Sequence, residues 1–388
     1  MKRNGLRLFA AMMLGMALQA FAPACAQEIE GREALSGQIE KAMEQADFDS
    51  VESVLVPGIP GELTVPDAVR AIAAGETIDA QNAVLSVLDM FFEAVSRLGR
   101  LFLSLMMPVL LLSVLSNTLC TDDNSGELAK SVSMMLVLIP IVALVFSELD
   151  HAQKTITQTT GRMNGMLPLL LTLLTALGGH ASSAFLHPMV VAASGSMVFL
   201  AQEVILRLVM CTCAVTTINH LSRSVHLTRM AQLLRSAVCW LLGVSFTVFL
   251  GAMSLQGVCS AAVDGVAIRA AKYAVDNFVP IVGGMFSDTM DTLVGCTLIV
   301  KNALGVCAAL VLTGSILAPV MRTTAVVFVL KLCAALLEPV ADAQIVRALS
   351  DSARTIVLFL VTMLCVGTMY FLLIVQILLV GNLTVLLR

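Results

Sequence analysis

Long apolar runs separated by short polar intervals organise this chain from about residue 100 to its end. A helix that crosses a bilayer needs about 20 mostly apolar residues. Runs at 101–119, 132–146, 163–179, 237–256, 293–319, 323–339 and 356–380 reach or approach that length, and 356–380 carries no charge. The run 181–219 is too long for one ordinary span and is interrupted at Gly195 and Glu203, so it reads as two, 183–201 and 203–219. These nine runs predict about eight membrane helices, with seven to nine compatible with the pattern.

One interval breaks the pattern differently. Residues 277–292, NFVPIVGGMFSDTMDT, place a Pro, a Gly-Gly pair and two aspartates between greasy flanks. The preceding segment, 259–276, is rich in Ala and suits a helix, with Arg269, Lys272 and Asp276 on one face. Asn277 and Pro280 end that helix, because the residue before Pro disfavours helical geometry. Gly283 and Gly284 permit a tight turn. Asp288 and Asp291, three apart, then start a new helix on one shared face, where acids suit the N-terminal dipole. Lys301 and Asn302 interrupt the next run. Freed backbone groups and charges survive at membrane depth only against protein or water. The interval is therefore either a broken or re-entrant element facing a polar path or a partner, or an extramembrane loop with an amphipathic helix. On the first reading Asp264, Arg269, Lys272, Asn277, Asp288, Asp291, Lys301 and Asn302 face the pore or partner, and Pro280, Gly283 and Gly284 form the hinge.

The N-terminus differs again. Lys2, Arg3 and Arg7 precede a short apolar core at 8–20, and Ala24-Cys25-Ala26 forms a small-x-small site. Residues 1–26 are thus read as a signal peptide, with an uncleaved first helix as the alternative. Residues 27–97 hold 14 acidic and 4 basic residues, a balance of −10. They read as an acidic extracytoplasmic region with short helices at about 33–47 and 80–97. Such a charge is unsuited to nucleic acid.

Composition agrees with a membrane protein. The 388 residues are 58% hydrophobic and 13% charged, with a mean hydropathy of +0.92, where soluble chains carry about 25% charged residues. The organisation predicted is a signal peptide at 1–26, the acidic region at 27–97, about five spans within 98–257, the polar interval 258–302 and C-terminal membrane helices at 303–388. The fold class is all-α, a polytopic membrane helix bundle with a broken or re-entrant segment.

Orientation follows from the interval 219–236, which holds Arg223, Arg229 and Arg235 and no acid. Basic loops stay inside, and five spans starting outside bring the chain to the cytoplasm there. Its helical spacing suits either a helix along the inner headgroups or an ordinary connector. Glu203 and Arg207, four apart in an apolar segment, can pair on one helix face; a structural pair is the first reading and a gating or substrate role the second.

Chemistry is sparse. The ten cysteines sit in the signal segment or in and beside apolar runs, where they serve as small apolar residues, and Cys211 and Cys213 lie about 200° apart on a helix and cannot grip one metal unaided. No H-E-x-x-H, G-x-S-x-G or P-loop occurs, and Asp288 and Asp291 on one helix cannot oppose each other as a catalytic dyad. Neither a metal, a cofactor nor an enzymatic activity is expected.

The order and spacing of Ser254–Gly257, Asp264-Gly265, Arg269, Ala271-Lys272, Asn277-Phe278, Pro280, Gly283, Met285-Phe286, Asp288, Asp291-Thr292 and Lys301-Asn302 resemble the stage III sporulation protein AE family of endospore-forming bacteria. Ser183-Ala184-Phe185 with His187-Pro188, Gln232–Arg235 and Gly381-Asn382 extend the resemblance over most of the chain beyond residue 100. It implies a subunit of a transenvelope complex between mother cell and forespore, a channel or export-apparatus component in the mother-cell membrane around the forespore. Its partners would be the other stage III membrane proteins and the bilayer, with homo-oligomerisation open. The family brings no catalytic residues. A stand-alone secondary transporter is the runner-up; such proteins often carry internal repeats, and no second copy of the interrupted element stands out.

Overall fold

The computed structural model describes residues 80–100, 102–104, 106–110, 123–176, 180–221, 227–278, 283–341 and 343–386. The signal-peptide segment, the helix expected at 33–47 and Pro280 lie outside them. The elements are α1 (Ala80–Arg97), α2 (Asp123–Ala176), α3 (His180–Phe199), a π-helical turn (Leu200–Ile205), α4 (Leu206–Leu221), α5 (Thr228–Phe278), α6 (Gly283–Leu337) and α7 (Ala343–Leu386). No strand occurs among the described residues. The expected all-α class and the helix at 80–97 are both found.

The helices are fewer and longer than the apolar runs suggested. α2, α5, α6 and α7 have 54, 51, 55 and 44 residues. At about 1.5 Å per residue each is much longer than a hydrocarbon core of about 30 Å. Among the described residues, five helical stretches are long and apolar enough to cross a membrane: Met134–Thr172, Leu186–His220, Thr228–Leu255, Lys301–Leu337 and Ala343–Val380. The expected spans 132–146 and 163–179 are one helix, as are 293–319 and 323–339. The physical reason lies in the intervening residues. Asp, His, Gln, Lys, Thr and Arg between 148 and 162 are polar but compatible with a helix, and α2 also runs on through Pro140, Gly161 and Pro168. The expected break near Glu203 is the π-helical turn rather than a chain reversal; one extra residue per turn keeps the helix continuous. Residues 228–236, assigned to a loop, form the first turns of α5.

α5 ends at Phe278 and α6 starts at Gly283, and the break expected at Pro280 lies outside the described residues. Gly283 and Gly284 open α6 instead of forming a turn, so Asp288 and Asp291 lie beyond its first turn. Their expected service to the helix dipole is lost with that shift.

α6 and α7 form the centre of the bundle as an antiparallel hairpin. Val340 and Ala341 N–H groups donate to the Leu337 carbonyl at 3.0 and 2.7 Å, closing the turn. Gly305 lies against Leu378, and a Cβ on Gly367 would stand 2.7 Å from Ile316 Cδ1. Small residues let the two backbones approach, which is how helices gain contact in lipid, where apolar burial alone gives little drive. α5 runs beside α7 in the same direction, with Arg235 near Asp351 at one end and Gln376 Nε2 donating to Met253 O at 2.9 Å near the other. Its outer side chains Trp240, Val248 and Leu255 are exposed and apolar, as a lipid-facing surface requires. α1 leans on α6 through an edge-to-face pair, Phe91 and Phe328, with ring centroids 5.9 Å apart.

Candidate functional site

The midpoints of three apolar spans fall on Gln153, Glu203 and Pro319. Polar groups gather at that level. In α2 they come from the interval that the hydrophobic pattern treated as a connector. Glu148 is buried and accepts a hydrogen bond from Thr323 Oγ1 of α6 at 2.8 Å. One turn on, His151 Nδ1 lies 3.5 Å from Arg322 Nη1. Asp150 and Lys154 pair at 2.6 Å on the exposed side of the same helix. Gln202 of the π-helical turn donates through Nε2 to Thr157 Oγ1 at 2.9 Å, and its neighbour Glu203 pairs with Arg207 as the i, i+4 spacing predicts. Thr160 and the buried Tyr370 share a hydrogen bond of 2.9 Å, joining α2 to α7.

These residues form a belt across α6, α2 and the π-helical turn. Glu203 and Arg207 side chains are 44% and 72% exposed, and Arg322, Asp150 and Lys154 are exposed too. A charge facing lipid near a helix centre costs at least about 2.5–3.5 kcal/mol. Pairing reduces that cost without removing it, because the outward edges still need partners. A surface of this kind suits water or another protein chain better than acyl chains. π-helical turns frequently mark functional positions, and here the turn carries both Gln202 and Glu203.

The residues singled out around 258–302 are distributed differently. Asp264, Arg269, Lys272 and Asn277 lie along α5, and Arg269 is exposed. Asp288 and Asp291 lie in α6. Lys301 is 0% exposed, and its Nζ donates to Leu378 O of α7 at 2.9 Å. It is packed into the α6–α7 interface rather than facing a cavity of this chain. Asn302 is half-buried, and its Oδ1 is buried with no partner among the described residues.

A second polar node, missed by sequence reasoning, closes one end of the bundle. Asp351 of α7 has one carboxylate oxygen 3.2 Å from His220 Nε2, at the end of α4, and the other 3.4 Å from both Arg235 Nη1 and Arg354 Nη1. Arg235 Nη2 also donates to the Asp351 carbonyl at 3.2 Å. Gln344 Nε2 donates to His220 O at 2.8 Å, and Asn219 Oδ1 accepts from Leu227 N at 2.7 Å, tying the start of α5 to α4. Only the basic charge of 219–236 signalled this place; its acidic partner is 116 residues away in the sequence. Among the described residues no group of three or more His, Cys, Asp or Glu stands ready for a metal ion.

Comparison with known proteins completes the picture. The model of the family described as Stage III sporulation protein AE matches residues 63–381. A protein of Bacillus subtilis (strain 168) named "Stage III sporulation protein AE" is 27% identical over 320 residues, which cover 82% of this chain and 80% of the relative. No solved structure matches.

Proposed function

Because the chain belongs to the stage III sporulation protein AE family, we propose that this sporulation protein is a multi-pass subunit of a channel-like transenvelope complex between mother cell and forespore. Its place is the mother-cell membrane that surrounds the forespore. Its partners are the other stage III membrane proteins, and its contribution is to position and seal a polar route, without catalysing a reaction.

One observation carries the reading: the ionic belt at the midpoint of the spans, with Glu203, Arg207, Asp150, Lys154 and Arg322 exposed on its outer side. Five helical stretches among the described residues are long and apolar enough to cross a bilayer, yet this face is poorly matched to lipid. Neighbouring subunits, or the water path they enclose, supply the missing environment. Arg269, exposed on α5, extends the same logic to a second place on the surface. The basic interval 219–236 favours a cytoplasmic position for the α4–α5 connection.

The test is co-purification from sporulating cells with a mild detergent, comparing wild type with Glu203→Leu/Arg207→Leu. Wild-type protein should bring other stage III membrane proteins with it, and the variant should accumulate in the membrane but lose them. A wild-type chain that purifies alone and transports a solute when reconstituted alone would replace this reading with that of an independent transporter.

A further inference from the structure

At the end of the bundle where α4, α5 and α7 meet, a cleft of about 230 Å³ opens beside Asp351. Its walls include Asn219, Thr228, Arg235, Arg347, Ser350 and Arg354. Three arginines thus line a cleft that holds one carboxylate. Asp351 meets His220 at 3.2 Å and Arg235 and Arg354 at 3.4 Å, where a charge-assisted hydrogen bond is about 2.7–2.9 Å. A single acid spread over that many donors leaves a positive surplus.

The surplus has unused donors. Arg235 is 19% exposed at its side chain, and its Nε is buried with no hydrogen-bond partner. A buried guanidinium N–H without an acceptor is costly, and native proteins rarely leave one so. Arg347 uses Nε on the carbonyl of Ala343 in its own helix, at 3.0 Å; the side chain is otherwise exposed. Arg354 has its 3.4 Å approach to Asp351 and is exposed. Thr228 and Ser350 add hydroxyls to the lining.

We infer that this cleft binds the phosphate group of an anionic ligand, with the guanidiniums of Arg235, Arg347 and Arg354 as its principal donors. The planar fork of Arg matches phosphate oxygens two at a time. That volume gives room for a phosphate ester. Met230, Leu233 and Trp240, exposed and apolar on α5, adjoin the cleft-lining Ala231, Gln232 and Arg235 in the sequence. A phospholipid could therefore place its headgroup in the cleft and its chains along α5. Basic pockets at helix ends on the inner side of a membrane hold anionic headgroups in this manner. A soluble phosphorylated molecule would use the same donors.

The experiment uses the full chain in detergent, with native mass spectrometry to count bound phosphatidylglycerol and phosphatidylcholine. Arg347→Gln/Arg354→Gln removes two exposed charges without disturbing the core. Arg229→Gln removes one exposed charge that does not line the cleft. Wild type and Arg229→Gln should prefer phosphatidylglycerol over phosphatidylcholine by about tenfold or more, equivalent to about 1.4 kcal/mol, and the double variant should lose that preference. Displacement of phosphatidylglycerol by millimolar inorganic phosphate would indicate that the site takes phosphate from solution as well; persistence against phosphate would assign it to a lipid headgroup. Equal binding of the two lipids by wild type, or an undiminished preference in the double variant, would overturn the inference.

Discussion

Lys301 Nζ and the carbonyl oxygen of Leu378 lie 2.9 Å apart between α6 and α7, in a place solvent does not reach. An amine at that position is anchored to the hairpin by one hydrogen bond, while its four-carbon stem fills space among apolar neighbours. That makes the residue more a packing element than a conducting one. Lys301→Met keeps most of the volume and removes a buried amine, whose desolvation opposes its single hydrogen bond. Lys301→Ala leaves a cavity, for which large-to-small core changes cost about 2–5 kcal/mol. Thermal unfolding of the purified protein in detergent should therefore place Lys301→Met close to or above wild type and Lys301→Ala clearly below both. Equal losses in the two variants would show that the amine itself is needed.

The close approach of the same two helices rests on Gly305 and Gly367. A Cβ at Gly305 would overlap the branched end of Leu378, and one at Gly367 would meet Ile316 Cδ1 at 2.7 Å. Gly305→Ala gains about 1 kcal/mol of helix propensity but forces Leu378 aside, and overpacking typically costs about 1–3 kcal/mol. The net effect should be destabilising at Gly305, where three atoms of Leu378 crowd the position, and smaller at Gly367. Leu378→Ala opens room, so the double variant Gly305→Ala/Leu378→Ala should be more stable than the sum of the single losses, by about 0.5–3 kcal/mol. Additive losses in a double-mutant cycle would mean that the helices do not meet there.

The helical character of the chain and the helix at 80–97 could be read from the apolar pattern and its punctuation. The chain reversals could not be read as easily. Between 148 and 162 polarity suggested a connector, but Thr155, Thr159 and Thr160 return their hydroxyls to carbonyls one turn back, and Glu148 finds Thr323 on another helix. Polar side chains with partners do not stop a helix, so hydropathy alone divided what the backbone keeps whole. The i, i+4 pair of Glu203 and Arg207 was legible because both partners lie on one helix. Asp351 with Arg235, and Lys301 with Leu378, are tertiary relationships across more than seventy residues, and no local pattern encodes them.

The outward pair at the π-helical turn gives a prediction about assembly. Arg207→Glu places a second acid beside Glu203 on an exposed face, and like charges four apart on a helix repel. Glu203→Arg/Arg207→Glu restores an opposite pair with its direction reversed. If the face meets a partner through a general need for neutrality, the double swap should recover spore yield and co-purification that the single reversal loses, with similar protein levels in the membrane throughout. If the partner reads each charge individually, the swap will fail like the single variant. Wild-type spore yield from Arg207→Glu would remove the belt from any role in the complex.

Two hydrogen bonds across the belt should differ in importance, and the reason is the number of partners each acceptor or donor keeps. Thr160 Oγ1 bonds both Tyr370 OH at 2.9 Å and Ile156 O at 2.8 Å. Tyr370→Phe therefore leaves Thr160 satisfied by its own helix and should cost only about 0.5–1.5 kcal/mol, the net worth of an ordinary hydrogen bond. Thr323 Oγ1 instead donates to a buried carboxyl group, Glu148 Oε2, at 2.8 Å. Thr323→Val keeps the shape of the threonine but withdraws that donor, and an unsatisfied buried polar group costs about 1–3 kcal/mol, more if charged. Denaturation in detergent should then rank Thr323→Val below Tyr370→Phe. Glu148→Leu combined with Thr323→Val should recover part of the loss, since an apolar pair leaves no oxygen without a partner. If Tyr370→Phe proves the more damaging change, or if the combined variant is worse than Thr323→Val alone, the carboxyl group of Glu148 draws its support from somewhere other than Thr323.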